Sequence, residues 1–273
     1  MRRANRTVSP RRLAPVVNLR KVTDDDLLVM LRSAATAVGE ALSGWTDWGL
    51  AGTIPGQYRA DLVADGAAIE VLDGAGLGVL SEESGLHHPE RELLAVLDPL
   101  DGSTNASRGI PWYATSICVL DAQGPRAAVV WNQSRGTQYE ATRGGGARRD
   151  GEPISPSGQT ELSHAVVGLA GFPARYLGWR QYRALGAAAL DLCLVADGTL
   201  DAYLDSSRAA HGPWDYLGGM LVCTEAGAIV REREGRGLVV REYGPRRSPL
   251  AAATAELGEE LYQASVRSPS APR

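Results

Sequence analysis

Apolar side chains recur along the chain at two spacings, one helical and one typical of short strands. The clearest helix covers residues 24–43, where Leu27, Leu31 and Val38 share one face after Thr23 and three aspartates. Further helices are predicted at 62–72, 182–196, 213–226 and 255–266. Strands are predicted at 79–80, 93–97, 113–120, 126–132, 137–142, 165–170, 201–204, 228–230, 238–240 and 250–253. Antiparallel strands in the first half and strand–helix alternation in the second predict an α/β protein of layered sheets and helices.

Residues 93–105 organise this pattern. Their apolar first half predicts a buried strand, which we expect to end at Asp98 and Pro99 because proline fixes its own φ and drives the preceding residue to an extended conformation. Asp101 follows three residues after Asp98. A tight turn here would aim two carboxylates and the Leu100 carbonyl at one point, which suits a hard cation such as Mg²⁺. An ordinary strand, turn and helix cap with solvated aspartates would explain the same residues.

Composition indicates an ordinary globular protein, with 44% hydrophobic and 22% charged residues. The net charge of −4 gives no reason to expect a nucleic-acid partner, and no apolar run approaches the ~18 residues of a membrane span. The three cysteines are far apart and form no disulfide set, which indicates a reducing, cytoplasmic location. We expect one folded domain of two α/β halves at 23–267, between loose tails at 1–22 and 268–273.

Acidic residues stand at the ends of several predicted elements. They are Asp65, Glu82, Glu83, Asp98, Asp101 and Asp215. Each alone has a structural explanation; an acid in the first turn of a helix, for example, complements the helix dipole. A buried cluster of them would have to be paired or bind a metal, because like charges repel strongly at low dielectric.

Three short motifs carry the most specific signal. They are Ser-Glu-Glu-Ser at 81–84, Asp-Pro-Leu-Asp-Gly-Ser-Thr-Asn at 98–105, and Trp-Asp at 214–215 with Glu-Ala-Gly at 225–227. Together they resemble the inositol monophosphatase family of Mg²⁺-dependent, lithium-sensitive phosphatases, over roughly residues 25–265. The resemblance implies a layered α/β/α/β/α sandwich, a homodimer, and a phosphoric monoester hydrolase for a small polyol phosphate, above all inositol monophosphate.

The resemblance also assigns metal ligands to individual residues. Glu82 would bind the activating metal, Asp98 would bridge two metals, and Leu100 would offer its carbonyl. Asp101 and Asp215 would bind the second metal. Two Mg²⁺ ions about 3.5–4 Å apart can activate water and neutralise a phosphate, so the implied reaction is in-line attack by water without a covalent enzyme intermediate.

The remaining assignments concern water, phosphate and alcohol. Asp65 would support the metal site, and the Ser103 hydroxyl would orient the attacking water together with Glu82. The Gly102 and Ser103 amides would hold the phosphate, and Asp205 would face the leaving alcohol. The full substrate-binding set implied in this way is Asp101, Gly102, Ser103, Asp205 and Asp215.

The chain departs from the family pattern on the substrate side. Residues 57–63 replace a lysine-containing loop, the connection at 206–212 is longer than usual, and residues 186–188 lack a hydroxyl. The substrate therefore stays open among inositol monophosphate, adenosine 3′,5′-bisphosphate, histidinol phosphate and fructose 1,6-bisphosphate. A metal- or phosphate-binding regulator without turnover is the alternative outside enzymes, and the complete set of acidic ligands argues against it.

Overall fold

The computed structural model describes residues 22–207 and 211–266. The two predicted tails lie outside these residues, apart from Val22, which is buried. The helices are α1 (Asp24–Leu42), α2 (Arg59–Gly74), α3 (Ser103–Ser107), α4 (Ala188–Ala196), α5 (Pro213–Ala226) and α6 (Ala255–Val266). The strands are β1 (Gly78–Ser81), β2 (Gly85–His87), β3 (Leu94–Asp101), β4 (Ala114–Asp121), β5 (Gly124–Asn132), β6 (Gln138–Thr142), β7 (Gly146–Arg149), β8 (Glu152–Pro153), β9 (Val166–Ala170), β10 (Gln181–Arg183), β11 (Ala202–Asp205), β12 (Ile229–Glu232) and β13 (Pro249–Ala252).

Two sheets alternate with three layers of helix. The first sheet has eight strands in the order β2-β1-β3-β4-β5-β6-β7-β8, and the second has five in the order β10-β9-β11-β13-β12. Helices α1 and α2 cover the outer face of the first sheet, α4 and α5 fill the space between the sheets, and α6 packs on the second sheet. The predicted α/β/α/β/α sandwich is confirmed. No helix in the described ranges has the length and apolar character needed to cross a membrane.

Helix ends follow their local sequence closely. Thr23 Oγ1 accepts a hydrogen bond from Asp26 N, and the Asp26 carboxylate accepts one from Thr23 N, which closes a capping box at the start of α1. Helix α5 begins at Pro213 and ends before Gly227, whose φ is +97°. These two helices match the predicted ranges because their caps are encoded by adjacent residues.

The predicted helix at 182–196 is wrong in its first six residues. Residues 181–183 instead form β10, an edge strand parallel to β9, and α4 begins only at Ala188. Gly186 lies between them with a φ of +86°, a left-handed conformation that interrupts a right-handed helix. Apolar periodicity continues through this segment, but the backbone does not follow it.

Two strand predictions also need correction. The strand expected to end at Asp98 continues to Asp101. Its pairing with β4 shifts register between these two residues, so Pro99, which has no backbone N–H, is not required to donate a hydrogen bond to β4. The predicted strand at 238–240 is absent from the described structure, where these residues belong to the loop between β12 and β13. A β-bulge thus stands at the expected end of β3, and a long loop stands in place of the strand predicted at 238–240. Both segments border one cavity.

Candidate active site

A cavity of about 360 Å³ opens where β1 and β3 end and α2 and α5 begin. Its described lining comprises Ile54, Pro55, Gly56, Gln57, Asp61, Glu82, Glu83, Asp98, Leu100, Asp101, Gly102, Ser103, Trp214, Asp215, Tyr243 and Arg246. Six of these side chains are carboxylates and one is a guanidinium. The cavity is therefore a concave, strongly acidic site.

The end of β3 delivers two of the carboxylates. Asp98 is 2% exposed, and its Oδ1 accepts a hydrogen bond from Leu100 N at 3.0 Å. Gly102 follows with a φ of +87°, and a Cβ there would lie 3.0 Å from the Trp112 carbonyl oxygen. Any other residue would be strained at this position, so glycine is what allows the chain to turn into α3 beside the acids.

Asp101 is fixed by the start of α4. Its carboxylate oxygens accept hydrogen bonds from Ala188 N at 3.2 Å and Ala189 N at 2.8 Å, in the first turn of α4. Free amides at a helix start favour a negative charge. The interruption at Gly186 thus has a structural consequence, because it exposes the amides that hold Asp101.

Three carboxylates from three separate elements converge in the cavity. Glu82, Asp98 and Asp215 each offer an oxygen, and these atoms all lie within 4.8 Å of one another. Asp215 is oriented by Gly212 N, which donates to its Oδ2 at 2.6 Å. Asp101 lines the same cavity beside them. We call Glu82, Asp98, Asp101 and Asp215 the acid cluster.

The acid cluster is electrostatically unbalanced. Burial raises the pKa of Glu82, Asp98 and Asp101 well above the usual carboxyl range, and neighbouring carboxylates raise it further. His211 Nδ1 lies 3.4 Å from Asp215 Oδ2; burial lowers the pKa of this histidine, but its contact with Asp215 raises it to about 9. One imidazolium cannot neutralise four carboxylates, so the cluster must either keep protons or bind a further cation.

A second group of acids borders the first: Asp61 and Glu83 also line the cavity, and Asp65 contacts Ser81 beside them. Ser81 Oγ donates to Asp65 Oδ1 and accepts from Glu83 N at 3.2 Å. Burial raises the pKa of Glu83 to about 7 and that of Asp61 to about 6. Asp61 Oδ1 is buried without a hydrogen-bond partner. An orphaned carboxylate oxygen beside convergent oxygen donors fits a site for a hard divalent cation.

A model of the inositol monophosphatase family matches residues 59–270 of the chain. The chain belongs to the inositol monophosphatase family. It is accordingly a phosphoric monoester hydrolase, as the members of this family are phosphatases.

The relatives of this chain within the family carry different names. A fructose-1,6-bisphosphatase/inositol-1-monophosphatase of Archaeoglobus fulgidus is 34% identical over 210 residues, which is 75% of this chain and 81% of that protein. The Nus factor SuhB of Xylella fastidiosa is 31% identical over 206 residues, 70% of this chain and 74% of that one. The structure of an inositol monophosphatase from Anabaena (Nostoc) sp. PCC 7120 superposes with a TM-score of 0.73 at 27% identity, covering 91% of this chain and 96% of that one.

The residues assigned by resemblance are mostly brought together. Glu82, Asp98, Leu100, Asp101, Gly102, Ser103 and Asp215 line the cavity, and Asp65 lies behind it. Asp205 is different, because it is fully buried and is not among the described residues that line the cavity. Its Oδ1 accepts from Ser207 N at 2.8 Å. Residues 208–210 lie outside the described structure, so the role of Asp205 toward a substrate stays a prediction.

Asp61, His211, Tyr243 and Arg246 are residues at the site that have no predicted role from sequence. Asp61 could have been found, because it precedes Asp65 by one helical turn on the same face of α2. His211, Tyr243 and Arg246 lie in irregular segments with no periodic signal. Tyr243 Oη donates to the Glu82 carbonyl at 2.8 Å, a contact between residues 161 positions apart.

Proposed function

We propose that this family phosphatase is a Mg²⁺-dependent hydrolase of a small polyol phosphate, with inositol monophosphate as the first substrate to test. The observation that carries the proposal is the convergence of Glu82, Asp98 and Asp215 within 4.8 Å in a buried acidic cavity. Mg²⁺ prefers oxygen ligands of this kind. Glu82, Asp98, Asp101, Asp215 and the Leu100 carbonyl would hold it.

Mg²⁺ would supply Lewis acidity that neutralises the phosphate and makes water more acidic. Residues of the chain would do the remaining work. The Gly102 and Ser103 amides would bind phosphate oxygens, because the turn into α3 leaves these donors beside the acid cluster. Glu82 and the Ser103 hydroxyl would orient the attacking water in line with the leaving alcohol, and Asp65 would hold Ser81 and so the β1 end in place.

The decisive test measures phosphate release from inositol 1-phosphate with Mg²⁺, with EDTA, and with EDTA followed by excess Mg²⁺. Activity should vanish with EDTA and return with Mg²⁺, and Li⁺ should inhibit it. Full activity in EDTA would contradict the metal-dependent mechanism. A panel that adds fructose 1,6-bisphosphate, adenosine 3′,5′-bisphosphate and histidinol phosphate would rank the substrates by kcat/KM.

Two variants separate water activation from recognition of the alcohol. Ser103→Ala should lower kcat by a similar factor for every ester, because water is common to all of them. If Asp205 contacts the alcohol, Asp205→Ala should raise KM for inositol 1-phosphate by roughly tenfold and leave p-nitrophenyl phosphate unchanged. Equal losses on both esters would show that Asp205 does not read the leaving group.

We also propose that the protein is a cytoplasmic homodimer, as its family resemblance implies. The edge strand β10 and its neighbourhood expose Phe172, Tyr176 and Tyr182, an aromatic face suited to a protein contact. Sedimentation at micromolar concentration should give twice the monomer mass, and Tyr182→Ser should weaken the dimer. A monomer at all concentrations would rule this proposal out.

A further inference from the structure

Arg246 is held in a fixed position in the wall of the acidic cavity. Its Nη1 donates to the carbonyl oxygens of Tyr243 at 2.7 Å and Gly244 at 3.1 Å. Its guanidinium carbon lies 4.9 Å from the ring centre of Trp214 and 5.8 Å from that of Tyr243. An exposed arginine normally samples many rotamers, whereas this one is stacked and anchored.

The guanidinium of Arg246 lacks a carboxylate partner among the described residues. Its bonds go to neutral carbonyl oxygens, which leave its charge uncompensated. Arg246 is also the one basic side chain in the described lining of the cavity, where six lining side chains are acids. Once divalent cations balance these acids, the free guanidinium becomes a site for an anion.

The loop that carries Arg246 is braced at its base. Glu232 Oε1 accepts from Ser248 N at 3.2 Å and Oε2 accepts from Glu234 N at 2.6 Å, so the two ends of residues 233–248 are tied together. Arg236 adds an ion pair to the same carboxylate at 2.5 Å. Arg246 is therefore presented on a preorganised loop, which lowers the cost of binding a ligand.

Arg246 and the predicted phosphate amides belong to different parts of the cavity wall. Gly102 packs against Trp112 and Ala187, on the α3 and α4 side. Arg246 packs on Trp214 of α5 and on Tyr243, which bonds to Glu82 at the end of β1. None of the described hydrogen bonds or ring contacts joins Arg246 to Gly102 or Ser103. We therefore expect a phosphate held by the Gly102 and Ser103 amides to leave the guanidinium available for another group of the same ligand.

We propose that Arg246 is a specificity-determining residue that binds a second anionic group, phosphate or carboxylate, on the substrate. The inference rests on the proposed phosphatase function and adds the class of ester that the site prefers. A guanidinium binds either group through charge-assisted, often bidentate hydrogen bonds. Esters with a second anion are thus hydrolysed with higher kcat/KM than neutral polyol esters of the same length.

The test uses matched esters on a six-carbon chain in the presence of Mg²⁺. Glucitol 6-phosphate has no second anion, 6-phosphogluconate has a carboxylate, and glucitol 1,6-bisphosphate has a second phosphate. Arg246→Gln should lower kcat/KM for one or both doubly anionic esters by roughly 10-fold to 100-fold, and for glucitol 6-phosphate and p-nitrophenyl phosphate by less than about threefold. Which doubly anionic ester suffers identifies the group that Arg246 reads.

Two further variants make the result specific. Arg247→Gln is the matched control, because Arg247 bonds to Gly237 O and Arg246 O in the same loop and is not among the described lining residues. It should leave the ranking of esters unchanged. Arg246→Lys keeps the charge and should retain part of the preference.

The outcomes separate this inference from the proposed function. Hydrolysis of all esters by the wild type, with equal losses in Arg246→Gln, would overturn the role of Arg246 and leave the phosphatase function intact. Loss of the ranking in Arg247→Gln as well would assign the effect to the loop and also overturn it. No Mg²⁺-dependent hydrolysis of any ester by the wild type would refute the proposed function itself.

Discussion

The acid cluster and the single buried carboxylate of Glu232 have opposite electrostatics. Asp98 in the acid cluster is 2% exposed and Glu232 at the base of the β12–β13 loop is 4% exposed. Burial and neighbouring carboxylates raise the pKa of Asp98. Burial also opposes ionisation of Glu232, but hydrogen bonds from Arg236 and from backbone amides lower its pKa to about 2. Burial alone therefore does not decide the direction of the shift; the partners decide it.

Glu232 holds the base of a loop together, whereas the acid cluster is suited to bind a cation. Glu232 has as many donors as its oxygens can use, so its charge stabilises the fold. The acid cluster has an excess of acceptors, which costs folding free energy until a cation arrives. Unbalanced charge in a concave site is thus the physical sign of function here.

The largest expected effect comes from removing one carboxylate charge of the acid cluster. Asp98→Asn keeps the shape of the side chain and removes one buried charge, so kcat should fall at least ~10²-fold while the metal-free protein becomes no less stable. Phosphate release and thermal unfolding in EDTA would measure the two effects. Near wild-type kcat would show that Asp98 is not a metal ligand.

Glu232→Gln should lower the stability of the protein, unlike Asp98→Asn. Glu232→Gln removes a charge that its partners stabilise, and the pKa shift from an ordinary 4.5 to about 2 corresponds to on the order of 3 kcal/mol of stability at neutral pH. Because the folded-state pKa is lowered, this stability is present above about pH 4.5 and is lost as the pH falls toward 2. Urea unfolding at pH 7 and pH 3 should show a difference between wild type and variant that shrinks in acid. A pH-independent difference would mean that packing, rather than charge, makes Glu232 important.

The metal-free protein should lose stability as the pH rises from about 4.5 to about 7. Glu83 and Asp61 have folded-state pKa values of about 7 and about 6, above their unfolded values, so the folded state binds more protons between about pH 4.5 and 7. The melting temperature in EDTA should therefore fall by a few degrees between pH 5 and pH 8, and Mg²⁺ should flatten the profile. A metal-free melting temperature that rises over this range would contradict the described electrostatics.

The smallest expected effect is on Mg²⁺ affinity, and it tests the contact between the β12–β13 loop and the acid cluster. Tyr243→Phe keeps the ring that stacks on Trp214 and removes the hydrogen bond to the Glu82 carbonyl, worth on the order of 1 kcal/mol. The Mg²⁺ concentration for half-maximal activity should rise about fivefold. Tyr176→Phe, on the remote aromatic face, is the matched control. Identical Mg²⁺ dependence in the two variants would mean that the loop does not position Glu82.

Local sequence predicted the regular elements wherever their ends are encoded by neighbouring residues. The capping box at Thr23, the proline at 213 and the glycine at 227 explain why α1 and α5 are accurate. It failed at 182–187, where apolar spacing continues across Gly186 although the backbone is left-handed there. It failed again at 238–240, an apolar run that belongs to the loop carrying Tyr243 and Arg246.

The sequence by itself determined the layered α/β class, the family and the identity of most acids, because strand ends, caps and the three motifs are local features. Tertiary structure alone decided which acids share a cavity and what balances them. Asp98 and Asp215 meet where α5 packs between the two sheets, and Arg246 reaches the same cavity on the β12–β13 loop, whose base is held by Glu232. Contacts between residues more than a hundred positions apart depend on how layers pack, and no spacing rule along the chain contains that information.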